Sequence, residues 1–221
     1  MRVIVAGGAV LAVLLLGASL GLLLQLPGRG QAQPEATSVD VGFSQDMSVH
    51  HRQAVLMAGL ARDRSTDTEI QTLAFDIERT QLEQVGRMQG WLSLWNAAPL
   101  PLGRPMSWMT DDGAMPGMAH GTRQGATGST AGPTMMPGMA SPAELDQLRA
   151  AGGTEFDVLF LKLMLRHHQG GVPMAEYTAK HAEAAQVRNL AEKIVIAQRA
   201  ESEYLTKLIT KRGAQPLPPP I

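Results

Sequence analysis

An internal repeat constrains the fold of this chain more than any other sequence feature. The segment that begins with Asp40 returns at Asp157, and the offset of 117 residues persists downstream without a gap. Both copies carry a Phe, a Met, a His-His pair and a second Met at the same relative positions. A repeat of about 53 residues in a single register is the signature of a duplicated structural unit. We therefore expect two similar halves.

Apolar residues recur at helical spacing in both copies, which predicts that each copy is a hairpin of two helices. Thr66 matches the first position of a capping box and Thr154 is a second candidate cap, so both predict helix starts. Pro173 falls inside the third helix and predicts a bend. Aromatic residues make up only 4% of the chain, which disfavours an all-β fold. We predict an all-α fold, an antiparallel four-helix bundle. The expected helices are 39–63, 67–95, 155–180 and 184–212.

The first 26 residues predict a membrane helix. Residues 3–26 contain no charged residue, and at about 1.5 Å per residue such a helix is long enough to cross a bilayer. A long apolar run without a convincing cleavage site favours an uncleaved signal-anchor over residues 1–26. The protein is then a single-pass protein of the cell membrane with an extracytoplasmic domain, or a secreted protein if the signal is cleaved. Gly17 and Gly21 have the spacing that pairs membrane helices, which leaves a homodimer open.

The rest of the chain divides into a tether, a bundle domain and a tail. Residues 27–38 are rich in small and polar residues and predict a flexible tether. Residues 39–212 hold both repeats, and residues 213–221 form a Pro-rich tail that cannot be helical. An insertion at 96–140 separates the two copies. It is rich in Gly, Pro, Ser, Thr and Met and offers little apolar surface, which predicts a mobile or ligand-ordered segment. Ser141 then caps a short helix.

The composition excludes several classes of function. The chain has no cysteine, which removes disulfide frameworks, Cys-ligated metal sites and thiol catalysis. Its net charge is -1, so it lacks the basic excess that a nucleic-acid partner requires. Methionine is abundant in contrast, at 13 residues, and its thioether is a ligand for soft metal ions.

The candidate site lies on the first helix of each copy. On a helical wheel the two histidines of each pair share one broad face with the methionines that flank them. This face also carries the apolar residues, so it must point into the bundle, where a pseudo-two-fold axis brings the two copies together. The predicted core ligands are Met47, His50, His51, Met57, Met164, His167, His168 and Met174.

Polar residues interrupt the apolar face of each partner helix near the level of the histidines. They are Gln81, Gln84, Gln198 and Glu201. Buried polar groups need partners, so we expect the core histidines, or a metal that they hold, to be the partners of these side chains, which lie near the level of His50 and opposite His167. The competing interpretation is structural, because a core histidine is usually a satisfied hydrogen-bonding group and a core methionine is usually filler. His181 lies in the expected turn of the second hairpin, where a solvated or capping role is expected.

The ligand types favour copper. Neutral imidazole and thioether without carboxylate form a soft set, which suits copper and especially Cu(I). A di-iron site needs inward Glu and Glu-x-x-His pairs, which are absent. Zinc on histidines alone stays open, but it leaves the methionines unexplained. The insertion points the same way, because Met-Pro-Gly-Met occurs in it twice and thioethers on a flexible chain can chelate a soft ion. Its candidate ligands are Met115, Met118, His120, Met136 and Met139.

The doubled Phe-x3-Met-x2-His-His-x2-Ala-x2-Met-Ala pattern resembles the bacterial domain of unknown function 305 family over about residues 38–212. The resemblance implies a ferritin-like four-helix bundle and export from the cytoplasm. It also implies copper binding and copper tolerance, in which some members are implicated. The family's His-Met positions fall on the eight core residues named above. The second copy departs from the pattern at Gly171, where Ala is usual, and at Pro173.

Three functions follow as hypotheses. The first is a membrane-tethered, extracytoplasmic copper-binding protein that buffers or hands on copper, with the His-Met core as its site and the Met-rich insertion as a capture arm. The second is a metal-dependent oxidase, for instance one that oxidises Cu(I), with Glu201 as the only acid–base candidate. The third is a non-metal interaction module with a structural polar core. We favour the first, in which the protein is a binder and not an enzyme.

Overall fold

A computed structural model of the chain describes residues 38–109 and 135–220. These residues form five α-helices and no strand, which confirms the all-α prediction. The four long helices begin and end within two residues of the predicted bounds. The helices are α1 (Val39–Arg64), α2 (Thr68–Leu94), α3 (Pro142–Ala150), α4 (Gly153–His181) and α5 (Ala185–Lys211).

The long helices pack as two hairpins. Helix α1 packs along α2, and α4 packs along α5. Helix α1 also packs on α4, so the first helices of the two copies face each other in the middle of the domain. All four helices contribute side chains to common apolar clusters. This is the packing expected of a four-helix bundle.

The apolar interior consists of two clusters that the repeat relates to each other. We call them the methionine core, which includes Phe43 and Met88, and the leucine core, which includes Phe160 and Leu205. An offset of 117 residues relates nine members of each core to members of the other. The corresponding pairs include Phe43–Phe160, Met47–Met164, Met88–Leu205, Met174–Met57 and Ile194–Ile77. Along both α1 and α4 the His-His pair falls between the two cores, so the histidines form a polar layer between them.

Two helix starts differ from the prediction. Asp67, and not Thr66, caps α2, because its carboxylate accepts from the next free backbone N–H groups and also complements the helix dipole. Helix α4 begins after Gly152 without a side-chain cap, so Thr154 is already inside the first turn. The capping box that starts α3 at Ser141 is confirmed.

The N-terminus of α5 is capped from another helix. Ala184 has no side chain that can cap, and the carboxylate of Asp40 in α1 accepts from the N–H groups of Glu183 and Ala184 at 3.0 Å each. These bonds satisfy donors that a helix N-terminus leaves without partners. They also join the start of α1 to the turn between α4 and α5.

Both ends of the insertion pack on the bundle, and the prediction that it offers little apolar surface is wrong for these ends. Trp108, Met109 and Met136 are buried in the methionine core. The average composition of residues 96–140 concealed this, because the large apolar residues are concentrated near the two ends. Residues 110–134 lie outside the described part of the chain.

The N-terminal predictions also fall outside the described part. This applies to the membrane helix over 1–26 and to the tether over 27–38, except for Ser38, which caps α1. Among residues 38–109 and 135–220, no helix is both long and apolar enough to cross a bilayer.

Helix α4 continues through Pro173, and the bend that this residue predicts stays a prediction.

Candidate metal centre

The four histidines of the repeat meet in the polar layer, and all four side chains are fully buried. The rings of His50 and His167, one from each copy, have centroids 3.8 Å apart and planes inclined by 35°. His51 and His168 lie farther out, at 6.5 and 6.3 Å from the neighbouring ring of their own pair. The structure thus brings the histidines of the two copies together, as the repeat predicts.

The outer histidines hydrogen-bond to repeat-related residues of their own hairpins. His51 Nε2 lies 2.7 Å from Gln84 Oε1, and His168 Nε2 lies 2.5 Å from Glu201 Oε2. Histidine partners for Gln84 and Glu201 are thus confirmed, although the residues on the level of these acceptors were expected to be His50 and His167. Adjacent residues on a helix point about 100° apart, and it is the second histidine that points towards the partner helix.

The inner histidines hydrogen-bond to backbone carbonyl groups. His50 Nε2 lies 3.1 Å from the carbonyl oxygen of Pro137, and His167 Nε2 lies 3.0 Å from the carbonyl oxygen of His50. The role of Pro137 is not predictable from the sequence, because a backbone acceptor leaves no side-chain signal. The inner pair is therefore linked both by ring contact and by a hydrogen bond across the two copies.

These contacts determine which nitrogen carries the proton. The carbonyl, amide and carboxylate oxygens only accept hydrogen bonds, so each Nε2 atom must donate and each neutral ring has its lone pair on Nδ1. All four Nδ1 atoms are buried and have no hydrogen-bond partner among the described residues. An imidazole that donates from one nitrogen to an oxygen and keeps a free lone pair on the other has the arrangement of a metal ligand.

Two further glutamines belong to the layer. Gln81 and Gln198 are buried, and their amide groups have no hydrogen-bond partner within the part of the chain that the structure describes. Gly171 gives Gln198 its space, because a Cβ atom there would lie 2.8 Å from Gln198 Oε1 and 3.2 Å from His50 Cε1. The second copy therefore has glycine at position 171, where the first copy has Ala54, because the space is needed by Gln198 and His50.

Burial keeps the imidazoles neutral. Loss of hydration lowers the pKa of His50 to about 4 and the pKa of His51 to about 3. The same cause lowers the pKa of His167 well below its ordinary value, and the neighbouring imidazoles lower it further. Neutral imidazole is the form that binds metal ions, so His50, His51 and His167 are held in the protonation state that ligation requires.

The predicted methionines flank the layer on both sides. Met47 and Met174 belong to the methionine core, and Met57 and Met164 belong to the leucine core. All four are fully buried. Each copy therefore contributes one thioether to each side of the histidines.

The layer is not a closed histidine–carboxylate site. Within residues 38–109 and 135–220, no group of three or more His, Asp or Glu side chains is arranged to hold a metal ion. Zinc and di-iron centres are built from such groups. The available donors, imidazole and thioether, suit a soft metal ion. Metal binding by the eight core residues stays a prediction.

The second Met-Pro-Gly-Met motif is docked on α4 through its backbone. Gly138 has a φ of 79°, a conformation that favours glycine. A Cβ atom on Gly138 would overlap the backbone of α4 at Arg166, and one on Gly170 would overlap the carbonyl group of Pro137. Two glycines therefore allow the close approach that places the Pro137 acceptor beside His50.

The methionines of this motif are not on a free arm. Met136 is buried in the methionine core, and Met139 is half-buried against it. We expected Met136 and Met139 to lie on a flexible chain, and this is wrong, because the close contact of the motif with α4 holds them in place. Met115, Met118 and His120 lie outside the described residues.

Asp46 anchors the other end of the insertion. Its Oδ2 atom accepts from the backbone N–H of Met106 at 2.6 Å and from Trp108 Nε1 at 2.7 Å. Burial raises the pKa of this carboxyl, although both hydrogen bonds act to lower it. Gly42 makes room for the Trp108 ring, which a Cβ atom would overlap. Asp46 is not among the predicted residues, and the sign of its role in the sequence is a carboxylate where the second copy has Leu163.

The family model described as a domain of unknown function, DUF305, matches residues 40–209. The chain belongs to the DUF305 family. The crystal structure of a putative secreted DUF305 protein from Streptomyces coelicolor is 38% identical, with a TM-score of 0.70 over 83% of this chain and 99% of that chain. A DUF305 fragment from Deinococcus radiodurans is 31% identical, with a TM-score of 0.61 over 80% and 99%. No curated protein matches the chain.

The fold is also similar to that of CopM. The Cu(I)-bound form of CopM is 24% identical to this chain, with a TM-score of 0.56 over 78% of this chain and 96% of that chain. CopM has further structures in Cu(II)-bound and Ag-bound forms. At this identity the likeness shows a shared fold.

Proposed function

We propose that this chain is an exported metal-binding protein that holds copper, as Cu(I), in its histidine layer. The proposal depends on the four buried imidazoles whose Nε2 protons are donated to oxygen atoms and whose Nδ1 lone pairs have no partner among the described residues. Buried polar atoms without partners destabilise a fold by about 1–3 kcal/mol each. A metal ion that accepts the lone pairs removes this cost.

Copper is the metal that the donors favour. Imidazole and thioether are soft ligands that suit Cu(I), and Cu(I) accepts low coordination numbers. Cu(I) therefore does not require the larger histidine–carboxylate group that the described residues lack, and imidazoles of the layer with a thioether from the adjoining cores are its proposed ligands. Support by analogy comes from CopM, a protein of the same fold with Cu(I)-, Cu(II)- and Ag-bound forms.

The role we propose is storage or transfer of copper and not turnover. Glu201, the one acid–base candidate, is engaged by His168. We further propose that residues 1–26 anchor the ferritin-like bundle to the cell membrane as a single pass, with the domain extracytoplasmic, or direct its secretion if cleaved. Pairing through Gly17 and Gly21 would give a homodimer. The similarity to a putative secreted protein supports export.

The test is an anaerobic Cu(I) titration of the full chain and of a His50→Ala/His167→Ala variant. His181→Ala is the matched control, because His181 is exposed at the end of α4 and stacks on Tyr177 outside the layer. We expect the double variant to lose copper from the layer while circular dichroism shows unchanged helicity, and the control to bind as the parent protein does. Full stoichiometry and affinity in a folded double variant would assign the histidines a structural role.

The same samples separate binding from catalysis. On admission of oxygen, a copper-storage protein consumes at most the oxygen that its bound Cu(I) can reduce. Sustained oxygen consumption with excess Cu(I) would instead favour the oxidase hypothesis.

A further inference from the structure

The methionine core contains more thioethers than the repeat supplies. Duplication gives each core two buried methionines. The methionine core adds Met88, at the position where the leucine core has Leu205, and three more that the insertion contributes. These three are Met106, Met109 and Met136. Four of its methionines therefore lie outside the His-Met motif.

Packing alone does not require these residues. Methionine is a common filler of irregular core gaps. Outside its two motif methionines, however, the leucine core is filled mainly by leucine, isoleucine, phenylalanine and alanine. Met88 and Leu205 occupy equivalent places on α2 and α5. The excess of methionine is thus confined to the one core on which both ends of the insertion converge.

Specific contacts hold the added methionines in place. Asp46 bonds to the backbone of Met106 and to the Trp108 ring between Met106 and Met109. The Trp108 ring lies edge-on to Phe43, with centroids 6.0 Å apart. Met136 is positioned by the close approach of its motif to α4 at Gly170. These contacts bring methionines from two distant parts of the insertion into the same apolar cluster.

The added methionines extend from the interior to the surface. Met88 is fully buried, whereas Met106, Met109 and Met136 are 8%, 6% and 5% exposed. The three methionines of the insertion thus lie nearer the rim of the cluster than Met88 does. Beside it, Asp46 is 1% exposed, and its Oδ1 atom has no hydrogen-bond partner among the described residues. A buried carboxylate oxygen without a partner is complementary to a bound cation.

We propose that Met88, Met106, Met109 and Met136 form a second metal site, which takes a soft monovalent ion, Cu(I) or Ag(I), on thioether ligands. Thioethers are neutral and soft, so they favour these ions over Cu(II) and Zn(II). The site shares no proposed ligand with the histidine layer. It therefore stands even if the histidines prove structural.

The first test is methyl NMR of the full chain labelled with [13C-methyl]methionine and titrated with Ag(I), which is redox-inert. We expect Ag(I) to shift the methyl signals of Met88, Met106, Met109 and Met136. Single Met→Leu variants assign the signals. If the four signals stay in place while other methionines respond at saturating Ag(I), the proposal is wrong.

The second test compares a double variant with a control variant. Met88→Leu/Met136→Leu removes two proposed ligands, and the first change introduces the residue that the repeat-related position already has. Met135→Leu is the control, because Met135 is exposed, belongs to neither core and is not a proposed ligand of either site. We expect the first variant to lose one Ag(I) per chain together with sulfur scattering at the silver absorption edge. Equal Ag(I) stoichiometry and sulfur scattering in the first variant and the parent would overturn the proposal.

The His50→Ala/His167→Ala variant separates this site from the histidine layer. We expect the four methyl signals to respond to Ag(I) in that variant as they do in the parent. Loss of the methyl response there, with the fold intact, would contradict an independent second site.

Discussion

The outer histidines occupy repeat-related positions but bond to acceptors of different charge. The acceptor of His51 is the neutral amide of Gln84, and the acceptor of His168 is the carboxylate of Glu201. A carboxylate that accepts from an imidazole raises its basicity and its strength as a metal ligand. The two halves of the layer are therefore similar in shape and unequal in donor strength.

Exchanging these two acceptors tests whether His168 is a ligand. Glu201→Gln should weaken copper binding by about tenfold, the lower end of what outer-shell changes cost. Gln84→Glu is the matched change in the first copy and should not weaken copper binding. The measurement is competition against a Cu(I) chelator. Identical affinities for both variants and the parent would exclude His168 from the copper site.

Close backbone approach determines where the second Met-Pro-Gly-Met motif lies. The helices α1 and α4 were predictable, because their patterns depend on local spacing and on the repeat. The docking of the insertion on the bundle was not predictable. It depends on the close packing of Gly138 against Gly170 and of the Trp108 ring against Gly42. Such contacts join residues far apart in the chain and leave no periodic signal. The candidate histidines were likewise predictable, whereas the acceptor Pro137 was not.

Gly170→Ala should release this motif. The added Cβ atom overlaps the carbonyl of Pro137, and overpacking of this kind destabilises proteins by about 1–3 kcal/mol. The N–H of Ala140, which donates to Gln53 at 2.6 Å, should then exchange with solvent faster.

Gly59→Ala is the matched control for this change. Its added Cβ atom would lie 3.7 Å from the nearest side-chain atom, Glu78 Oε1. Alanine is favoured over glycine inside a helix by about 0.5–1 kcal/mol. The midpoint of unfolding of this variant should therefore lie at the same denaturant concentration as that of the parent protein, or at a higher one. Unchanged hydrogen exchange at Ala140 in the Gly170→Ala variant would show that the motif is not held at this point.

At the scale of the whole molecule, a layer of buried histidine and glutamine separates two apolar cores. Folding transfers these side chains out of water and depresses the pKa of His50 and His51. Below about pH 6.5 the unfolded chain binds protons that the folded chain does not accept until about pH 4. Protons therefore favour the unfolded state in this range.

The stability of the metal-free protein should depend on pH accordingly. The contribution of the histidines is complete above pH 6.5 and is lost as the pH falls towards about 4. Guanidinium unfolding of the metal-free chain at a series of pH values measures it, and His181→Ala should show the same decline. A free energy of unfolding that is constant between pH 6.5 and 4.5 would mean that the histidines are not buried as neutral groups.

Nitrogen NMR of the full chain labelled with 15N-histidine tests the central claim most directly. In the metal-free state the four core histidines should show protonated Nε2 and unprotonated Nδ1. Anaerobic Cu(I) should shift the four Nδ1 signals and leave the Nε2 protons in place. Nδ1 signals that do not move at saturating Cu(I) would contradict the assignment of the histidine layer as the copper site.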